Sequence, residues 1–181
     1  MKLATIQSKE VLNILSNWEI YKSDFNKIFD DIDTNYSSKM QAYQILMKHY
    51  GYKTAPIFCC VVDRRSNFYD FRKSNDILLE LNVPDELVNL HLIYYWMDIL
   101  FYTAKGQWNE DKYKRYKNYL DGINADDMKA DVQAVIPFIQ PEWVIGAYKI
   151  DKDFVKECIK SNMLESKSYA HNQIYRNYVS M

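Results

Sequence analysis

The chain has 181 residues, 48% hydrophobic and 26% charged, which suits one globular domain with a sizeable core and excludes a disordered chain. Its formal net charge of -1 supplies no global positive field to gather phosphate backbones, so any nucleic-acid contact has to rest on a local patch. Four glycines and four prolines leave no linker, low-complexity tract or glycine-rich phosphate loop. Three cysteines, two of them adjacent at Cys59 and Cys60, make no disulfide framework and suit a reducing compartment. The longest apolar run, Leu92 to Ala104, contains Asp98 and falls short of the roughly 20 residues that a bilayer span needs. With no secretory pattern at the N-terminus, the expectation is a soluble, cytoplasmic protein with no membrane contact.

Leu3 to Gln7 reads as a first strand. Ser8 is then placed to cap a helix whose apolar positions Val11, Leu12, Ile14, Leu15 and Trp18 follow a three-to-four-residue spacing. After a polar segment from Asp24 to Asn35, Ser37 or Ser38 is placed to cap a second helix, with Met40, Tyr43, Met47 and Tyr50 aligned and Gly51 ending it. Ile57 to Val62 is a continuous apolar run that suits a buried strand, leaving into the turn 63–67 and a short return strand from Phe68 to Phe71. In Ile77 to Val83 alternate residues share a face, and Pro84-Asp85 stops the run.

Two helices follow, one over Ile93 to Ala104 with Gly106 beyond it, and one opening at Asn109 with Glu110 and Asp111 in its first turn and Gly122 closing it. Val132 to Phe138 and Trp143 to Ile150 read as strands, and the four residues between them are few enough for a hairpin. Asp153 to Asn162 has the pattern of a last amphipathic helix, before a polar tail or helix over 163–181. The expected architecture is therefore a single α+β domain over residues 1–162, with a mostly antiparallel central sheet of about five or six strands flanked by helices.

No reaction is spelled out by a motif. Asp31 to Asn35 starts like a calcium loop, but Tyr36 and Ala42 stand where that loop needs glycine and a bidentate glutamate. His49, His91 and His171 lie far apart, and with no ligand pair at helical or two-residue spacing no metal is expected. The stretch Lys112 to Tyr119 mixes cations with rings that can contact phosphates and stack on bases. Helical spacing offers the alternative that Tyr113, Tyr116 and Leu120 face inward with the cations in solvent. Arg64 and Arg65 can fork onto an anion or simply keep a turn soluble. Gln133 can present its amide to a ligand or satisfy a strand edge.

The segments 1–15, 42–50, 55–61, 78–90 and 132–139 resemble, in order and spacing, a bacterial family called domain of unknown function 3841. That resemblance spans nearly the whole chain and implies a bacterial or phage protein of one domain. A second resemblance rests on the opening strand, the LLELNVP strand and the late QAV strand followed by PEWV, which are similar to the layout of ADP-ribosyltransferases. It implies a protein that binds NAD, as a substrate, or another nucleotide, with Thr5, Gln7 and Tyr43 lining the cleft. Gln133 takes the first position of the catalytic strand. Val135 stands at the position of the glutamate that stabilises the cation-like transition state, and an uncharged side chain there implies a degenerate member. The other expectation is a non-enzymatic interaction protein that docks a macromolecular target through a tyrosine-rich surface, since the chain holds 16 tyrosines.

Overall fold

A computed structural model describes residues 1–25, 36–61, 76–121 and 132–149. The elements are β1 (Lys2–Ser8), α1 (Lys9–Ser16), α2 (Tyr36–Tyr50), β2 (Ile57–Val61), β3 (Asp76–Asn82), β4 (Asn89–Leu92), α3 (Ile93–Ala104), α4 (Glu110–Leu120), β5 (Val132–Ile136) and β6 (Val144–Lys149). The six strands form one sheet in the order β4-β5-β2-β1-β3-β6, with every pair antiparallel. The chain is a single α+β domain, as its residues led us to expect. The polar stretch 26–35, the turn and return strand within 62–75, Gly122, the helix at 153–162 and the tail at 163–181 lie outside the described residues.

Alternation along the strands gives the sheet two different faces. One carries Leu3, Ile57, Cys59, Val61, Ile77, Leu79, Leu81, Ala134 and Ile136, which pack with Val11 and Leu15 of α1 and with Ile139 and Trp143. The other carries Phe58, which packs against a second core made by Ala42 and Leu46 of α2, Trp96 and Ile99 of α3 and Leu120 of α4. Among the described residues one helix therefore covers one face and three cover the other.

Several local expectations need correction. Val132–Ile136 and Val144–Lys149 do not form a hairpin, because β6 pairs with β3 at the far edge while β5 lies between β4 and β2. Their connection is tied to Tyr21 by reciprocal backbone bonds of 2.9 Å at Ile139 and passes through a short 3-10 turn, Pro141–Trp143. Ile139 and Trp143 are buried in the first core, and that burial outweighs the local turn. Ser8 stands at the N-cap of α1 without a side-chain capping bond, and Ser37 and Ser38 lie inside α2 rather than before it. The deepest residues of α2 are Ala42 and Leu46, with Met40, Tyr43, Met47 and Tyr50 half-buried beside them.

The helix ends have a common device. Gly51 (φ 70°) and Gly106 (φ 63°) take the left-handed conformation just past α2 and α3, and the next residue's amide donates back, Tyr52 to the Met47 carbonyl and Gln107 to the Tyr102 carbonyl. At the end of α1 the Glu19 amide donates likewise to the Ile14 carbonyl at 3.2 Å, but the left-handed position holds Trp18 (φ 61°). Trp18 therefore lies past α1, and at 75% exposure it is not part of the helix's apolar stripe. A bulky residue there costs roughly 1–2 kcal/mol of backbone energy. Trp18→Gly is expected to raise the unfolding free energy by about 1 kcal/mol in urea titrations; Trp18→Ala, which keeps the strained φ, is expected to give no such gain.

Candidate functional site

Cross-strand register decides which of the sequence-derived residues meet. Thr5 pairs with Leu79 and Gln7 with Ile77, which places both on the α1 face. The Thr5 hydroxyl donates to the Phe58 carbonyl at 2.8 Å and accepts from Gln7 Nε2 at 2.8 Å. Gln133 pairs with Cys60 on one side and His91 on the other, and Cys60 pairs with Ala4, the neighbour of Thr5. Gln133 is thus on the opposite, α2–α4 face, and β2 separates its strand from β1. Thr5 and Gln7 do not share a groove with Gln133. Tyr43 lies on the α2 face, packed edge-on against Phe25, Phe58 and Trp96 with centroids 6.0, 5.6 and 5.3 Å apart. Val135, at the position of the expected glutamate, is fully buried.

Around Gln133 the structure builds a polar network that sequence patterning did not reveal. His91 is fully buried on β4. Its Nε2 lies 3.2 Å from Gln133 Oε1 and its Nδ1 3.2 Å from the Tyr50 hydroxyl. A neutral ring satisfies both partners, with Nε2–H donating to the amide oxygen and Nδ1 accepting from Tyr50. Burial pushes the His91 pKa down to about 4, helped by the neighbouring His49 and opposed by the Gln133 bond. Asn89, two residues earlier, donates to the Tyr52 hydroxyl at 2.6 Å, and Tyr52 donates to the Val135 carbonyl at 3.1 Å. Burial pushes the Tyr52 phenol up to about 12 and raises that of Tyr50 as well.

A second histidine extends the network toward solvent. His49 Nε2 lies 3.1 Å from the Asp121 carboxylate, and Nδ1 lies 3.3 Å from the Tyr113 hydroxyl. A carboxylate only accepts, so Nε2 donates to Asp121, and Nδ1 shares the second hydrogen bond with the Tyr113 hydroxyl. His49 and Tyr50 close α2, while Tyr113 and Asp121 belong to α4 and its end. The contacts therefore tie two helices to the β4–β5 edge. Among the described residues no buried side-chain nitrogen or oxygen lacks a partner. The Gln133 amide oxygen is already engaged by His91, so a ligand binding that oxygen would compete with the ring. Among the described residues no cluster of three His, Cys, Asp or Glu side chains is placed to hold a metal ion. No described helix is long and apolar enough to cross a membrane.

The stretch 112–119 lies in α4, which Asn109 caps by accepting from the Lys112 amide at 3.0 Å. Tyr116 and Leu120 are buried and Tyr113 is half-buried, while Lys114, Arg115 and Lys117 are exposed, the arrangement that helical spacing offered. The Tyr116 hydroxyl donates to Asp98 at 2.8 Å, so Tyr116 is a packing residue and not part of a surface. Tyr119 behaves differently. Its ring stacks on Tyr95 of α3 at 4.4 Å and 16°, and it remains 46% exposed, with Tyr94 at 45%. Lys112 Nζ sits 4.1 Å over Tyr102, and Lys105 Nζ 4.9 Å over Phe101. Arg64, Arg65 and His171 lie outside the described residues.

Comparison of the chain with family models, with curated proteins and with solved structures finds no match.

The buried neutral His91 has a pH signature. The unfolded chain takes up a proton near pH 6.5 and the folded one near 4, so between these values the unfolded state binds more protons and stability falls as pH falls. The contribution is fully present above pH 6.5 and lost by pH 4, a range worth roughly 3 kcal/mol at 1.4 kcal/mol per unit. Urea unfolding of the protein and of His91→Gln at a series of pH values should show their stability difference shrinking by about that amount from neutral pH to pH 4; a constant difference would count against a buried neutral ring.

Proposed function

We propose that this protein is an interaction module that docks a macromolecule through the tyrosine-rich face made by α3 and α4. The observation that carries this reading is the Tyr95–Tyr119 stack, two rings held parallel at 4.4 Å with Tyr119 nearly half exposed. Ordered aromatic surface of this kind is suited to binding, because a tyrosine buries a large ring at small entropic cost and keeps a polar tip for the rim. Tyr94 adds exposed area on α3. The opposite-face placement of Thr5 and Gln7 relative to Gln133 leaves a nucleotide-transfer reading without an assembled cleft, so docking is the better-supported function.

The test is affinity capture from cell extract with the tagged protein and its Tyr119→Ala and Tyr94→Ala/Tyr119→Ala variants, each run with and without nuclease. Because Tyr119 also packs on Tyr95, circular dichroism and the unfolding midpoint of each variant, with Tyr119→Phe as the control that keeps the ring, separate lost docking from lost α3–α4 packing. A stoichiometric partner held by the wild type and weakened at least about tenfold by the double variant is the expected result. Equal capture by all three proteins would remove this face from the account.

A further inference from the structure

Resting on that docking reading, we infer that the α3–α4 face takes a single-stranded nucleic acid, with a base stacked on Tyr119 and the backbone running along α4 past Arg115 and Lys112. Between Lys112 and Leu120 the helix carries Lys112, Lys114, Arg115 and Lys117 and no carboxylate. Lys112, Arg115 and Tyr119 recur at spacings of three and four, so they form one stripe on the α3 side of the helix. The stripe is about 10 Å long at 1.5 Å per residue, enough to lie along a short stretch of backbone.

Carboxylates lie near this stripe as well. Asp98 accepts from Tyr116 in the groove between the helices. Asp121 lies beyond the helix end, bonded to His49 on α2, and of the two acids in the first turn of α4 Asp111 stands four residues before Arg115 and flanks the start of the stripe. Against these, Lys112, Lys114, Arg115 and Lys117 leave α4 cationic from Lys112 onward, despite the near-zero charge of the whole chain. Tyr95 supports the Tyr119 ring from behind at 16°, so the platform is flat before any base arrives. The pairing of flat rings with a short cationic track is the chemistry that recognises unpaired bases with little sequence preference. A polypeptide partner has no counterpart to the second element unless it is acidic, which makes the nucleic acid the more specific fit.

The experiment is fluorescence anisotropy with labelled oligouridylate and oligothymidylate strands of about 15 nucleotides and a duplex of equal length, from about 50 to about 200 mM salt. The single strands are expected to bind, more tightly than the duplex. Tyr119→Ala is expected to weaken them about tenfold and Tyr119→Phe, which keeps the ring, less than about twofold. Arg115→Ala should flatten the slope of log affinity against log salt by about 0.7. Absence of binding by the wild type, equal binding by Tyr119→Ala, or a duplex bound as tightly as the strands overturns the inference. If oligonucleotides fail while nuclease-treated extract still yields a Tyr119-dependent partner, the nucleic acid is wrong and the docking face stands. If both fail, the docking reading falls with it.

Discussion

Phe58 occupies the point at which the two halves of this molecule meet. It lies on β2, third of six strands, so its own strand is held on both sides. Period-two alternation turns its neighbours Ile57 and Cys59 toward the α1 face and Phe58 itself toward the helices. Its ring meets Trp96 of α3 at 5.0 Å, Tyr43 of α2 at 5.6 Å and His91 of β4 at 6.4 Å. Two helices and an edge strand are thus oriented on one side chain. α4 rides on α3 in turn, through the Tyr116–Asp98 bond and the Tyr95–Tyr119 stack. The exposed tyrosine face is a consequence of packing that starts at the sheet.

The polar network beside Phe58 has a different role. A buried polar group stabilises only when its partners are present, and one left unpaired costs about 1–3 kcal/mol. His91 and Asn89 are alternate residues on a four-residue strand, and a one-residue slip against β5 would turn both away from Gln133 and Tyr52. The bonds of His91 to Gln133 and Tyr50, and of Asn89 to Tyr52, therefore specify the register of the edge strand and the position of the end of α2. Gln133 is explained by this architecture without a ligand.

The strong periodicities were legible. Leu79 and Leu81 with Ile77, and the spans of α3 and α4, follow from alternation, helical spacing and the Asn109 cap, where local preference and burial agree. Trp18 was misplaced because helical spacing continues past the residue at which a left-handed turn ends α1. The supposed β5–β6 hairpin failed because a short loop permits a hairpin without requiring one, and Ile139 and Trp143 are buried in the first core instead. β4 escaped notice because Asn89 to Leu92 is short and its polar residues face inward, reversing the usual pattern. The candidate cleft failed for a related reason: one residue of register separates the faces of Thr5 and Gln133, and strand order cannot be read from either segment alone.

Tyrosine abundance in the sequence pointed to a surface but not to which rings form it. Helical geometry divides those of α4 into one buried, one half-buried and one exposed, and only the last, Tyr119, is available to a partner. The account depends on the internal hydrogen bonds of His91 and Asn89 holding the α2–α4 face of the sheet, with recognition proposed for the outer helices. The most direct measurement is the 15N resonance of the His91 ring, followed by NMR from neutral pH downward and repeated with added NAD. The account predicts a neutral Nε2–H ring that persists to about pH 4 and is indifferent to the nucleotide. A ring that titrates near pH 6.5, or one whose resonances shift on addition of NAD, would contradict it.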